Sequence, residues 1–170
     1  MKALIEARPG AGKTTAVIRL AERLRAAELS VAGFVTEEVR ERGVRVGFGI
    51  ETFAGERGVL AHVELPGPPR VGKYGVDLDA LERLALPSLE PPAGGVTVID
   101  ELGKMELASA RFRDAVTALF DADVPLVATV HAFRHPFTDE LKRRSDVELI
   151  RLNKANRDEL PAALATRLAR

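Results

Sequence analysis

Apolar and polar residues alternate along this chain in two rhythms. Residues 2–7 cluster apolar positions without a breaker and read as a short strand. Val17, Leu20, Ala21, Leu24 and Ala27 then fall at helical spacing, with Arg19, Glu22, Arg23 and Arg25 opposite, which predicts an amphipathic helix ending near Glu28. Residues 31–36 read as a strand, and Arg40–Gly43 as a turn. Val44, Val46, Phe48 and Ile50 alternate with Arg45, Gly47, Gly49 and Glu51, the signature of a strand with one buried face. Gly55–Gly58 is a second turn and Val59–Val63 a third strand. The two glycines beside Arg45 either bare the backbone to an approaching group or mark a bulge.

Leu65–Pro69 is a rigid loop, and Lys73 and Tyr74, flanked by glycines, are expected on open backbone. Asp77 or Asp79 caps a helix through Leu86, striped by Leu78, Leu81, Leu84 and Ala85. Residues 96–101 and 125–130 are apolar enough for buried strands. Between them Phe112, Ala115, Val116, Leu119 and Phe120 mark a helix. A short helix over 137–144 and a strand over 147–151 follow. Asn156 is the expected cap of a last helix, with Pro161 in its first turn. Strands alternating with helices indicate an α/β fold: a mainly parallel sheet flanked by helices, with an inserted antiparallel β-meander, in one domain spanning 1–170.

Composition narrows the classes. The 25 basic and 25 acidic residues balance, which counts against binding nucleic acid through bulk charge. Without cysteine there is no disulfide framework, thiolate metal site or thiol nucleophile. No apolar run reaches the ~18 residues of a membrane span, and the first is too short for a signal peptide, so the cytoplasm is the expected compartment. The absence of glutamine and the many charges suit a thermophile, and the arginine excess suits a GC-rich genome equally.

The chemistry begins at Ala7-Arg8-Pro9-Gly10-Ala11-Gly12-Lys13-Thr14, followed by Thr15. A strand, a glycine-rich turn and a helix in that order form a phosphate-binding loop, with backbone N–H groups and the positive helix end facing the anion. Lys13 is expected on the β- and γ-phosphates and the Thr14 hydroxyl on Mg²⁺. The usual first glycine is Ala7 here, which tightens only the entry turn. Asp100 and Glu101 close an apolar strand as a Walker B element does. Asp100 is the expected Mg²⁺ partner and Glu101 the group that polarises water. An acid beside the metal partner favours hydrolysis over phosphoryl transfer to a second substrate.

With these motifs the sequence resembles the THEP-type nucleoside-triphosphatase family, which includes the animal cancer-related nucleoside-triphosphatases. The resemblance rests on Arg8–Thr15, Gly33–Arg40, Gly43–Phe48, Gly72–Asp77, Val98–Leu107 and Asn156-Arg157. It implies a P-loop NTPase fold of RecA-like type and slow, Mg²⁺-dependent hydrolysis of ATP, GTP, CTP and UTP to diphosphate and phosphate. It places nucleotide contacts on residues 7–14 and on Val96, Thr97, Val98, Ile99, Asp100, Glu101, Leu102 and Gly103.

Auxiliary candidates each carry a plainer alternative. Lys104 is a phosphate contact or a surface lysine, and Glu106 a site residue or a first-turn acid. Arg40, Arg45 and Lys73 are transition-state cations or solvated charges. Thr129 and His131 end the strand where a γ-phosphate sensor belongs, and Asn156 and Arg157 frame the base or cap a helix. A metal site of His131, His135 and Asp139 is disfavoured because Pro136 breaks the helical frame. The expected partners are nucleoside triphosphates, with no membrane and a monomeric chain. Two other readings stand beside the hydrolase: a small-molecule kinase, and a nucleotide-switched binding module that touches RNA.

Overall fold

The longest apolar runs become the middle of the sheet, because only strands covered on both faces can be apolar on both. The computed structural model describes residues 1–170. Its strands are β1 (Lys2–Ala7), β2 (Ser30–Glu41), β3 (Val44–Thr52), β4 (Arg57–His62), β5 (Arg70–Val71), β6 (Tyr74–Val76), β7 (Gly95–Leu102), β8 (Leu126–His131) and β9 (Glu148–Arg151). Its helices are α1 (Lys13–Ala26), α2 (Leu78–Ser88), α3 (Ala110–Asp121), α4 (Pro136–Lys142) and α5 (Leu160–Leu168). All nine strands form one sheet in the order β5-β6-β4-β3-β2-β7-β8-β1-β9. The run from β2 to β9 is parallel and the rest antiparallel. The fold is thus an α/β fold with a mixed sheet flanked by helices.

The period of two sorts the core into layers. Ala3, Ile5, Val96, Val98 and Val127 face α1 and α5, meeting Val17, Leu20, Leu24 and Leu164. Leu4, Ile99, Leu126, Ala128 and Val130 belong to the opposite layer, with Leu81, Leu84, Phe112, Val116 and Phe120 of α2 and α3. Phe34 joins that layer, its ring 5.9 Å from that of Phe112.

The inserted meander continues the parallel sheet. Residues 30–34 of β2 pair in parallel with β7, and residues 34–41 of the same strand pair antiparallel with β3. Gly33 makes the join tight. It has φ +101°, and a Cβ there would lie 1.8 Å from the Val98 carbonyl oxygen. The β3 glycines accompany an irregularity in register between Phe48 and Gly49. Tyr74 is also not on open backbone. It is buried, its ring edge-on to Phe48 at 5.3 Å, and its hydroxyl accepts from Arg45 Nε at 2.9 Å. Val44 at the hairpin tip is exposed instead of buried.

Helix ends follow local chemistry. Asp77 caps α2, accepting from Ala80 N at 2.9 Å, and the helix runs past Leu86 to Ser88. Asn156 does not cap α5, which starts four residues later with Glu159 at its N-cap. It closes the turn before it, accepting from Asn153 N at 2.9 Å and donating to the Arg151 carbonyl at 2.8 Å.

Candidate active site

The carboxyl ends of parallel strands open onto one edge of the sheet, where α/β folds bind ligands. β1, β7 and β8 end there together. β8 lies between the other two, so the loop after β1 and the acids of β7 face each other across one strand. A cleft of about 680 Å³ runs over these ends.

Residues 8–12 connect β1 to α1, and Gly12 takes φ +99°, a left-handed turn that turns the chain into the helix. Arg8, Pro9, Gly10, Gly12, Lys13, Thr14 and Thr15 line the cleft. Ala7 is buried beneath, and Ala11 donates from N to the Arg8 carbonyl at 3.2 Å. The Lys13 ammonium is buried and donates to the Ala7 carbonyl at 3.2 Å. It also lies 3.4 Å from Glu101 Oε2 and 3.5 Å from His131 Nδ1.

Asp100 is 1 % exposed, and both its oxygens are held by hydroxyls. Thr14 Oγ1 donates to Oδ2 at 2.7 Å and Thr129 Oγ1 to Oδ1 at 2.7 Å. Burial pushes the Asp100 carboxyl above the usual range against those two bonds. A carboxylate and a hydroxyl this close, at the foot of a phosphate loop, are the hard oxygen donors a divalent cation takes, and an occupied site would satisfy the charge that burial penalises. The donor set therefore fits Mg²⁺.

Glu101 turns toward the cleft. Its Oε1 lies 2.6 Å from His131 Nε2, and the other ring nitrogen, Nδ1, lies 3.5 Å from Lys13 Nζ. Burial works to raise the Glu101 pKa, but His131 and Lys13 outweigh it and hold the carboxylate below its ordinary value. His131 stacks on Phe133 with ring centroids 4.4 Å apart, and Lys104 lies over the Phe133 ring at 4.9 Å.

The sequence-based candidates separate into groups. Val96, Thr97, Val98, Ile99 and Leu102 lie inside the sheet, each no more than 1 % exposed, and none lines the cleft. They are the body of the strand whose end carries Asp100, Glu101 and Gly103. Gly103 and Lys104 do line the cleft. Arg45 lines the opposite wall, but its guanidinium is occupied by the Tyr74 hydroxyl and by Glu38 Oε1 at 3.1 Å. Arg40 folds back on Glu38 and on the Gly43 carbonyl, and Lys73 lies over the Tyr74 ring; neither lines the cleft. Arg157 lies against the phosphate loop, its Cδ 3.7 Å from where a Gly12 Cβ would stand. His135 caps α4 and Asp139 pairs with Arg134, so neither joins His131.

Sequence reasoning did not anticipate the far wall, where Thr36, Glu37, Phe48, Leu60 and Val71 from the meander and neighbouring strands face the phosphate loop. Periodicity places Phe48 and Leu60 on strands but does not bring them to the cleft, because their approach depends on β2 pairing with both halves of the sheet. Glu106 is buried in the same cleft. Burial first, then the charges of Glu101 and Asp100, push its carboxyl up to about 8.

A family model described as NTPase matches residues 2–165. The nucleoside-triphosphatase THEP1 of Thermotoga sp. (strain RQ2) is 46 % identical over 162 residues, covering 94 % of this chain and 91 % of the relative. The crystal structure of THEP1 from the hyperthermophile Aquifex aeolicus superposes with a TM-score of 0.89 at 38 % identity, over 100 % of both chains. The solution structure of a human cancer-related nucleoside triphosphatase does so with 0.85 at 37 %, over 98 % of this chain and 96 % of the other.

Proposed function

The chain belongs to the THEP1-type nucleoside-triphosphatase family and is an NTPase-type hydrolase, and from that premise we propose a mechanism in which Glu101 activates the attacking water, with ATP, GTP, CTP and UTP all accepted. The triphosphate lies on the backbone amides of residues 10–14. Thr14 and Asp100 would hold Mg²⁺, which would supply positive charge to the phosphate groups of the substrate. Thr129, on the neighbouring strand, keeps Asp100 oriented.

Water oxygen attacks the γ-phosphorus as its proton passes to Glu101. The bond from the γ-phosphorus to the β-bridging oxygen breaks, leaving nucleoside diphosphate and inorganic phosphate. Lys13, within 3.4 Å of Glu101 before nucleotide arrives, turns to the phosphates, and His131 keeps the freed carboxylate oriented. The observation that carries this reading is the grip of His131 and Lys13 on an ionised Glu101 beside an Asp100 already tied to Thr14.

Slow turnover fits the state of Arg45, which lines the cleft together with Arg8. A free arginine at the γ-phosphate is worth about 10³–10⁵ in rate. Arg45, on the far wall, is instead spent on Tyr74 and Glu38.

The test is phosphate release from each of four triphosphates with Mg²⁺ and no acceptor. Glu101→Gln is expected to lower kcat by about 10²–10⁴-fold while nucleotide affinity survives. Turnover in Glu101→Gln at the parent rate, or diphosphate formed only when an acceptor is added, sinks the proposal.

A further inference from the structure

Glu106 opens a short 3₁₀ turn, Glu106–Ala108, just past the Walker B strand. Its side chain is a carboxyl that the hydrolytic reading does not use. The residue is 3 % exposed, yet it borders the cleft. No basic side chain pairs with it, and its polar partners are the backbone amides of Gly103 and of Glu106 itself. A buried acid without a cation is costly and calls for an explanation.

Gly103 locates it. A Cβ built on that glycine would stand 2.9 Å from Glu106 Oε2 and 3.1 Å from Glu101 Oε1. Two carboxyls therefore border one bare stretch of backbone, and a side chain at 103 would crowd both. The nearby charge of Glu101 opposes ionisation of Glu106 in so buried a position. Glu101 has its cationic and N–H partners, Lys13 and His131. Glu106 has none, and it is the member of the pair that keeps its proton.

We propose that Glu106 is a positioning residue for Glu101, its carboxyl O–H donating to the Glu101 carboxylate across Gly103. This inference rests on the reading of Glu101 as the base. His131 would then hold one side of the base and Glu106 the other, and the base would keep its aim when Lys13 leaves it for the phosphates. Burial and the neighbouring carboxylates raise Glu106 to about 8, which keeps it a donor at neutral pH. The ionisable groups around it are Asp100 and Glu101 on β7, Lys13 on α1, His131 on β8 and Lys104 in the following loop. Glu37, Glu38 and Arg45 face it across the cleft.

The experiment measures steady-state phosphate release from saturating Mg²⁺–ATP between about pH 6 and about pH 10. It uses the full chain and the variants Glu106→Gln, Glu106→Leu and Glu101→Gln, with nucleotide affinity and melting temperature recorded for each. In the parent, kcat is expected to fall as Glu106 ionises near pH 8. Glu106→Gln supplies an N–H donor at every pH. It is expected to keep kcat within about threefold at neutral pH and to lose that alkaline fall. Glu106→Leu fills the space without a donor, and is expected to lose about 10- to 100-fold in kcat with little change in KM, the worth of one hydrogen bond to a charged group. Should Glu106→Leu fail to fold, the pH profile of Glu106→Gln decides alone.

An alkaline fall that persists in Glu106→Gln overturns the inference, as does a parental kcat in folded Glu106→Leu. If Glu101→Gln is inactive while the Glu106 variants behave as the parent, only this inference falls. If Glu101→Gln turns over normally, the assignment of the base falls and takes this one with it.

Discussion

At the scale of single residues, the site is a set of buried polar groups whose neighbours decide their charge. Asp100 is tied down by two hydroxyls, that of Thr14 at the cleft and that of Thr129 on the neighbouring strand, the latter at 0 % exposure. Thr129→Val keeps the shape and removes a charge-assisted bond. It is expected to cost about 1.5–3 kcal/mol of stability and to lower kcat, read by denaturant melts and phosphate release. Glu106 gives a separate stability signature. Its folded value of about 8 lies above the ordinary 4.5, so the native state holds a proton that the unfolded chain gives up between those values. Its contribution to stability is full below pH 4.5 and declines as pH rises to about 8, by up to about 1.4 kcal/mol per unit. Glu106→Gln removes that decline. The melting-temperature gap in favour of the variant should widen from pH 5 to about pH 8 and then level off.

At the scale of elements, the parts that can be read locally were legible. The helical rhythm beginning at Lys13, the alternation along β3 and the apolar run ending in Asp100-Glu101 each state their own structure, because periodicity is a property of one segment. Neighbours in space are not. Nothing in residues 31–41 says that one strand will pair parallel at one end and antiparallel at the other, and Tyr74 looks open until Phe48 and Arg45 are beside it. In the same way, Val96–Ile99 belong to the motif that marks the site, yet only the strand's last residues reach the cleft. Gly33 tests the join directly. Gly33→Ala sets a methyl against the Val98 carbonyl in a conformation that L side chains avoid. It is expected to cost more than about 3 kcal/mol, and nucleotide affinity is expected to fall with it because Val98 is two residues from Asp100. Asp77→Ala removes only a cap. About 1 kcal/mol of stability should go with it, with kcat untouched.

At the scale of the whole molecule, ligand binding and folding are linked, because the phosphate loop, the acid strand and the strand between them come from distant parts of the chain. A nucleotide that needs all three binds only the folded form. Mg²⁺–ATP at about a hundred times its Kd should add about 2.7 kcal/mol, a rise of about 5–10 °C in Tm for a chain of this size. Lys13→Ala is expected to abolish the shift in a thermal melt. Net charge is zero, so no strong overall field draws the triphosphate in, and local groups at the loop must provide the attraction.

β2 acts as a continuous crossbeam. Its far half shapes the wall opposite the phosphates, its near half is laced to the strand that carries the acids, and no hinge separates the two. Deuterium uptake should therefore slow in concert over residues 34–41 and 96–102 when nucleotide is added.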